Sequence, residues 1–309
     1  MRLALATSIA AWDLDEDMAL LCEACTRARI GTHVLAWDDP TVSWSRFDAV
    51  LLRSTWDYTE RHREFLAWCE RVDQAGTLLN PLAVVRWNTD KHYLADLQSA
   101  GVPVVPGVFV EPDAEPLPAL QAFLASCADA EFVVKPAVGA GSRDTQRYAR
   151  AQEFAAANHV GRLLDAGRSV LLQPYLASVD VDGETALLYF DGRFSHAIRK
   201  GALLRPDSAP TSQLFAAEAV TAREPADDEL TVGEAVLAAM QAHLGLQAPM
   251  PYARVDLIRS ADGAPRLLEL ELVEPSLFFA HGPDSAERFV ERLATHLRPR
   301  AGETRALPA

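Results

Sequence analysis

Short apolar runs and longer segments with apolar residues at every third or fourth position alternate along the first third of the chain. The runs 3–6, 33–36 and 49–52 predict buried strands, and the segments 16–29 and 60–74 predict helices. Gly31 and Gly76 are the expected helix ends. Strands that alternate with helices in this order favour a mainly parallel sheet covered on both faces. We therefore predict an α/β domain over residues 1–90.

Beyond residue 90 the two patterns no longer alternate regularly. They predict helices at 90–100, 119–126, 151–165, 230–244 and 284–297, and strands at 104–110, 131–136 and 169–173. Several antiparallel strands are expected from residue 184 onward, interrupted by a polar stretch over 206–229. The pattern therefore indicates two α+β units, a central one over 91–182 and a C-terminal one over 183–309.

Acidic residues stand at alternate positions of two apolar strands near the C-terminal end. Glu269 and Glu271 share one face of their strand, and Asp256 can meet them if the two strands pair through a turn at 260–263. Carboxylates in an apolar setting repel one another unless a cation lies between them. Oxygen ligands without His or Cys nearby favour Mg²⁺, which usually also takes phosphate oxygens. The alternative is a salt-bridge network with Arg254, but one cation against three acids favours the metal and hence a nucleotide enzyme.

Composition excludes several partners. The chain has 309 residues and a formal net charge of -14, so neither nucleic acid nor an anionic membrane surface should attract it. No apolar run approaches the roughly 20 residues that a membrane span needs, and no signal peptide is recognisable. Cys22 and Cys25 form a C-x-x-C within a helical pattern, which predicts a plain helix face. A cytoplasmic protein with reduced thiols is expected.

A phosphate site is predicted after the apolar strand that ends in Lys135. A lysine at this position is costly to desolvate without an anion to meet. The loop that follows leaves backbone N–H groups free to approach phosphate oxygens and adds polar donors; its residues are Gly139, Gly141, Ser142 and Arg143. The alternative is an ordinary surface turn, because the loop matches neither the P-loop nor the dinucleotide pattern.

Other candidates for nucleotide binding follow from their places in the predicted elements. Lys91 is expected in the first turn of a helix, where the helix dipole disfavours a cation; its alternative is an exposed surface lysine. An extended linker that could offer backbone groups to an adenine comprises Gln173, Pro174, Tyr175 and Leu176. The acids after it that could hold ribose hydroxyls, or simply be solvated, are Asp180, Asp182 and Glu184.

Two further groups are candidates for substrate contacts. Arg199 and Lys200 close a strand and could reach phosphates or a carboxylate. A loop follows the predicted strand 49–52 at the edge where open α/β sheets place ligands; its residues are Arg53, Ser54, Thr55, Trp56, Asp57 and Tyr58.

Taken in this order, these segments resemble the ATP-grasp superfamily of carboxylate–amine ligases. The resemblance covers nearly the whole chain. It departs from the usual pattern where Glu271 stands in place of an asparagine, and a second carboxylate can still bind Mg²⁺. Within the superfamily, the segments 52–58, 190–192, 195–196 and 269–277 are similar to the group that contains the cycloserine-forming cyclo-ligase acting on O-ureido-serine.

The resemblance implies a fold and a mechanism. ATP would lie between the central and C-terminal units, with Lys91 and Lys135 on its phosphates and 139–143 as a lid. Mg²⁺ would bind to Asp256, Glu269 and Glu271. A small amino-acid-like substrate would be activated as an acyl phosphate and attacked by an amine nitrogen. The residues implied to stabilise the transferring charge are Arg254, Lys200 and Arg199. Those implied to grip the substrate are the 53–58 loop with Pro275 and Ser276.

The resemblance also implies a homodimer. The alternatives to ring closure are an intermolecular dipeptide or peptide-tailoring ligase, a phosphotransferase that leaves a stable phosphorylated product, and a catalytically silent nucleotide-binding protein.

Overall fold

The computed structural model of the protein describes residues 1–205 and 219–297. Part of the predicted polar stretch, 206–218, and the tail from residue 298 lie outside the described residues. The described chain forms three sheets, and each sheet falls within one of the three predicted ranges.

The N-terminal sheet is parallel throughout, as predicted. Its strands are β1 (Arg2–Thr7), β2 (Gly31–Ala36), β3 (Ala49–Leu52) and β4 (Leu78–Leu79), in the order β2-β1-β3-β4. Its helices are α1 (Asp17–Arg27) and α2 (His62–Ala75). The prediction that Gly31 ends the first helix was wrong. Arg29 takes the left-handed conformation, with φ of 59°, and Gly31 already belongs to β2.

The helix predicted over 90–100 is the shorter α4 (Tyr93–Ser99), and a further short helix that was not predicted, α3 (Leu82–Asn88), precedes it. Lys91 lies in the turn between them, not in a first helical turn. The break has a tertiary cause. The Asn88 side chain donates to the Leu270 carbonyl at 2.8 Å and accepts from the Leu272 N–H at 2.7 Å, so α3 ends against a distant strand.

The central sheet is antiparallel, with the order β5-β8-β6-β7. Its strands are β5 (Val108–Val110), β6 (Glu131–Pro136), β7 (Gln146–Ala149) and β8 (Val170–Pro174), and its helices are α5 (Pro116–Ser126) and α6 (Glu153–Asp165). The two helices bury their apolar faces against the sheet around Phe132 and Leu172.

The C-terminal sheet is also antiparallel, with the order β11-β10-β9-β12-β13. Its strands are β9 (Glu184–Phe190), β10 (Arg193–Lys200), β11 (Val220–Arg223), β12 (Tyr252–Arg259) and β13 (Pro265–Glu271); the helices are α7 (Val179–Asp182), α8 (Asp227–His243) and α9 (Ser285–His296). Phe289 of α9 shares one hydrophobic core with Leu5 of β1 and Tyr252 of β12. The first and last parts of the chain are therefore packed together.

The helices and the cysteines bear on two expectations from the sequence, one about membrane-spanning segments and one about Cys22 and Cys25. None of the helices in the described ranges is long and apolar enough to cross a membrane. All four cysteines are free, and Cys22 and Cys25 lie on α1 as predicted.

Candidate active site

A cavity of about 410 Å³ lies between the central and C-terminal sheets and extends to the carboxyl edge of the N-terminal sheet. Strands β6, β8, β9, β12 and β13 all contribute to its wall, as do the 139–143 loop and the segment after β13. Residues from every predicted unit therefore meet in one place.

The predicted pairing of the two acid-bearing strands is confirmed. Strands β12 and β13 are antiparallel and place Asp256 opposite Glu269 and Arg254 opposite Glu271. The turn closes with the N–H of Gly263 donating to the Ser260 carbonyl at 2.8 Å. Directly opposite residues project from the same face of a sheet, so these four side chains share one face.

Basic side chains neutralise Asp256 on two sides. Arg254 donates to it through Nε at 2.9 Å and Nη2 at 3.0 Å, and Lys200 of β10 donates at 2.7 Å. Arg254 also pairs with Glu271. Burial raises the pKa of Asp256, but Arg254 and Lys200 together hold it below its usual value. Burial raises the pKa of Glu271 to about 7, against the opposing charge of Arg254.

A second set of ion pairs surrounds Glu269. Lys135 of β6 donates to its carboxylate at 2.9 Å, and the Nζ of Lys91 lies 3.7 Å away while donating to the Gly139 carbonyl at 2.9 Å. Burial raises the pKa of Glu269, but the two lysines lower it well below its usual value. Burial lowers the pKa of Lys135, with Glu269 opposing.

The expectation that a single cation faces these acids was therefore wrong, because Lys91, Lys135 and Lys200 join Arg254. The three lysines reach the acids from other parts of the chain. The pairing of β12 with β13, which was all that the sequence predicted here, could not reveal them. Over 1–205 and 219–297, no three His, Cys, Asp or Glu side chains are grouped so as to hold a metal ion. The predicted Mg²⁺ ligands are arranged here as ion pairs with lysine and arginine.

Lysine content is a signal that sequence reasoning missed. The chain has three lysines among its 29 basic residues, and all three line this cavity. They are Lys91, Lys135 and Lys200, with 8%, 6% and 7% of their surface exposed. Lysine is rarely buried without a partner, so three buried lysines at one site indicate an anion-binding role.

The 139–143 loop leads directly into β7, as expected of a hairpin and not of a dinucleotide fold. Gly141 and Ser142 take the left-handed conformation, with φ of 60° and 58°. Gly139 and Arg143 line the cavity as well, but the Arg143 guanidinium pairs with Glu60. The loop therefore lines the cavity, while the charge of Arg143 is engaged by Glu60.

The linker from Gln173 to Leu176 lines the cavity throughout. The Gln173 side chain donates to the Val105 carbonyl at 3.2 Å. Tyr175 donates to Asp180 at 2.6 Å, and the guanidinium of Arg147 lies 3.6 Å from the centre of its ring. These contacts hold the linker in one conformation.

Among the three acids considered for ribose, Glu184 lines the cavity and Asp180 and Asp182 do not. Glu184 pairs with Lys200 at 3.0 Å. Asp180 is bound by Arg147 as well as by the linker tyrosine. Arg199 is also turned away, because neighbours on a strand face opposite sides; its guanidinium donates to the backbone carbonyls of Val181 and Asp182.

Only part of the loop proposed for substrate contacts lines the cavity, and other residues of the loop are buried in the protein interior. Trp56 lines the cavity and donates to the Glu274 carbonyl at 3.0 Å. Arg53, Ser54 and Thr55 are buried behind it, at 1% exposure or less. The Asp57 carboxylate accepts from Trp37 and Arg61 and does not line the cavity.

Beyond β13, Ser276 lines the cavity and Pro275 does not. The Ser276 carbonyl accepts from Arg254 Nη1 at 3.2 Å. The following residues are held by Asp17 of α1, whose carboxylate accepts the N–H groups of Leu277, Phe278 and Phe279. Asp17 was missed in the sequence because its partners lie about 260 residues away.

Glu274 is another cavity residue to which sequence reasoning gave no role, and it lies beside Tyr58, the last residue of the loop 53–58 that was predicted to grip the substrate. The Tyr58 hydroxyl lies against the Glu274 carboxyl group. Burial and the charge of Glu271 raise the pKa of Glu274 to about 8. Glu274 lies beyond the end of β13, so the two-residue period that pointed to Glu269 and Glu271 could not find it.

Comparison with known proteins gives close relatives. A family model described as "D-cycloserine synthetase DcsG, N-terminal domain" matches residues 3–80. The cycloserine biosynthesis protein DcsG of Streptomyces lavendulae is 49% identical over 298 residues, which span 96% of this chain and 99% of that protein. The crystal structure of D-cycloserine synthetase DcsG superposes with a TM-score of 0.91 at 48% identity, covering 96% of this chain and 100% of that one.

A more distant match shares the fold. The ATP-grasp ligase PsnB, solved with a minimal precursor, Mg and ADP, superposes with a TM-score of 0.62 at 20% identity, covering 96% of this chain and 98% of that one. The ATP-grasp fold expected from the sequence, and the resemblance to the cycloserine group within it, are therefore confirmed.

Proposed function

This chain belongs to the D-cycloserine synthetase family of ATP-grasp ligases, and we propose that it closes O-ureido-serine into the cycloserine ring at the expense of ATP. The observation that carries the proposal is the convergence of all three lysines and Arg254 with Asp256, Glu269 and Glu271 on one cavity. Such a site supports the transfer of a phosphoryl group to a carboxylate and the formation of a C–N bond.

Lys91 and Lys135 are the residues that we assign to the nucleotide phosphates. Both are buried and both contact Glu269, so their charges are already held in a cavity of low dielectric. A phosphate chain would replace one of their carboxylate contacts with several charge-assisted hydrogen bonds. The backbone of Gly139, Gly141 and Ser142 would cover the phosphates, and the linker 173–176 would flank the adenine.

Asp256, Glu269 and Glu271 are the residues that we assign to Mg²⁺. Their oxygen donors lie on one face of β12 and β13, without His or Cys, and this donor set fits a hard cation. When bound, Mg²⁺ would neutralise phosphate oxygens during transfer. The existing ion pairs are compatible with this assignment, because lysines that move to phosphates leave carboxylate oxygens available.

The substrate carboxylate would lie beside Arg254 and Lys200, whose charges are held on the same wall. These residues would stabilise the negative charge that develops as the carboxylate attacks the γ-phosphate of ATP. The product of this step is an acyl phosphate with ADP as the leaving group. The central and C-terminal sheets both form walls of the cavity and would limit the access of bulk water to that intermediate.

Ring closure follows in the proposed reaction. The nitrogen that is bonded to oxygen in the ureido group attacks the acyl carbon, and inorganic phosphate leaves. This nitrogen carries a carbamoyl group, which one water must remove as carbon dioxide and ammonia to give the free ring. Because both reacting groups belong to one molecule, positioning supplies much of the rate.

The test is ADP and phosphate release with Mg-ATP and each enantiomer of O-ureido-serine, with mass spectrometry of the product and an assay for ammonia. We expect one ADP per ring, with no second substrate, and no turnover by Lys135→Met as the control for contaminating ATPases. Turnover only with a pair of substrates would instead make the protein an intermolecular ligase. A stable phosphorylated product would indicate a phosphotransferase, and no ADP release with any carboxylate would contradict enzymatic activity.

A further inference from the structure

Glu274 differs in its charge partners from the three acids that are assigned to Mg²⁺. Asp256, Glu269 and Glu271 each pair with lysine or arginine. Within the part of the chain that the structure describes, Glu274 is in no such ion pair, although it lines the same cavity. A half-buried carboxylate without a cation is costly unless a ligand supplies the missing charge.

The surroundings of Glu274 also suit a cation. Trp56 and Tyr58 line the cavity beside it, with the Trp56 indole N–H donating to the Glu274 backbone carbonyl and the Tyr58 hydroxyl against its carboxyl group. The hydroxyl oxygen of Tyr58 can in addition accept a hydrogen bond from an ammonium group. The raised pKa of Glu274 agrees with a group that becomes fully ionised when a cation arrives.

Glu274 also lies close to the position proposed for the substrate carboxylate. The Ser276 carbonyl accepts from Arg254, and Ser276 is two residues from Glu274. Two residues of extended chain span at most about 7 Å. An α-amino acid carries its carboxylate and its ammonium on the same carbon. One molecule could therefore contact Arg254 with its carboxylate and Glu274 with its ammonium group.

We propose that Glu274 binds the α-ammonium group of the substrate, with Trp56 and Tyr58 as the walls of this subsite. The inference rests on the proposed function, since it takes the substrate to be an amino acid with its carboxylate toward Arg254. It adds a recognition rule: the protein selects α-amino acids with a free, protonated amine over acids that lack it or carry it acylated. Glu274 acts in this scheme as a binding residue.

The decisive comparison uses O-ureido-serine and the matching compound without its α-amine, 3-(ureidooxy)propionate. For the wild type, kcat/KM should be on the order of 10 to 100-fold higher with the amine than without it, the worth of a charged hydrogen bond. In Glu274→Gln this ratio should fall to within about threefold of unity. The loss should appear mainly in KM, and the turnover of the compound without the amine should be nearly unchanged.

Other roles for Glu274 give different results. A general base for the attacking nitrogen would lower kcat for both compounds equally, and a purely structural role would also lower both. Either pattern, with the ratio unchanged in Glu274→Gln, overturns the proposal. Glu274→Asp should restore part of the ratio. Glu291→Gln, on the exposed face of α9, is the matched control and should behave as the wild type.

Failure of the proposed function would be recognised separately, as an absence of ADP release by the wild type with either enantiomer. The same ratio is then measured from the Kd values of the two compounds by calorimetry in the presence of Mg-ADP. A wild-type ratio near unity overturns the ammonium subsite, and a ratio that disappears in Glu274→Gln supports it.

Discussion

Lys135 and Glu269, which are 134 residues apart in the sequence, form an ion pair of 2.9 Å that joins the central sheet to the C-terminal sheet. The pair is almost fully shielded on the lysine side, where 8% of the side chain is exposed. Each partner stabilises the charge of the other in a place where neither would easily remain charged alone.

Lys135→Met should therefore have two separable effects. The Kd for Mg-ATP should rise about 100-fold, because a charged contact to phosphate is lost. The free energy of unfolding should fall by about 1–3 kcal/mol, because Glu269 loses its closest cation and keeps the more distant Lys91. Lys135→Met combined with Glu269→Gln should regain most of the stability in urea unfolding but none of the activity. A double variant as unstable as the single one would contradict the pairing.

Amine-specific labelling should report ATP binding with unusual simplicity, since the chain has three lysines and all of them line the cavity. With trinitrobenzenesulfonate, Mg-ATP should slow the modification of Lys91 and Lys135 by about tenfold or more, as expected for a ligand that occludes buried amines. The N-terminal amine is the internal control. Peptide mass spectrometry would give the labelling rate of each lysine. Equal rates with and without Mg-ATP would refute the assignment of Lys91 and Lys135 to the phosphates.

Two helical glycines should respond oppositely to alanine. In isolation Gly→Ala stabilises a helix by up to about 1 kcal/mol. A Cβ on Gly161 of α6 would lie 3.5 Å from Pro116, so Gly161→Ala should be neutral or stabilising. A Cβ on Gly233 of α8 would lie 2.8 Å from Leu187 and still closer to the Tyr189 hydroxyl.

Gly233→Ala should thus lower the free energy of unfolding by about 1–3 kcal/mol through overpacking. Urea midpoints of the two variants decide the matter. Stabilisation by both substitutions would mean that α8 can move away from its sheet at little cost.

Acid should destabilise the protein partly through His159. Burial lowers the pKa of His159 to about 4, below the ordinary value of 6.5. The unfolded chain then binds a proton that the folded protein does not, so stability is present above pH 6.5 and is lost as the pH falls toward 4. This loss amounts to about 2 kcal/mol between pH 7 and pH 5.

His159→Leu removes that linkage. Between pH 7 and pH 5, the wild type should lose about 2 kcal/mol more of its free energy of unfolding than His159→Leu does. This difference should hold whatever the stability of the variant at pH 7. Parallel pH profiles of the two proteins in urea unfolding would show that His159 is not the source of the acid sensitivity.

Asp17 should be important for stability, because it anchors a segment of the chain that is about 260 residues away in the sequence. Its carboxylate accepts N–H groups of Leu277 and Phe279 on different oxygens. Asp17→Asn replaces one acceptor oxygen with a donor that faces a backbone N–H, which should cost about 2–4 kcal/mol. Asp13→Asn, at an exposed position, is the matched control and should change stability by less than about 0.5 kcal/mol. Equal urea midpoints for the two variants would contradict the anchoring role.

Local periodicity was enough to predict much of the architecture. The parallel N-terminal sheet, the hairpin of β12 and β13 and the opposition of Asp256 to Glu269 all follow from rules that act over a few residues: alternation along a strand, helical spacing and a short turn. The order of the motifs was specific enough to identify the ATP-grasp ligases and the cycloserine group within them.

Only the tertiary structure decided which charges meet. Lys135 and Lys200 reach the acids from strands far away in the sequence, and the order of strands in two sheets brings them there. The same packing turns Arg199 and Asp57 away from the cavity and brings Glu274 into it. The sequence by itself determined the elements and the faces of the strands, because both depend on neighbouring residues. The partners of each buried charge depend on contacts between distant segments, which no local period encodes.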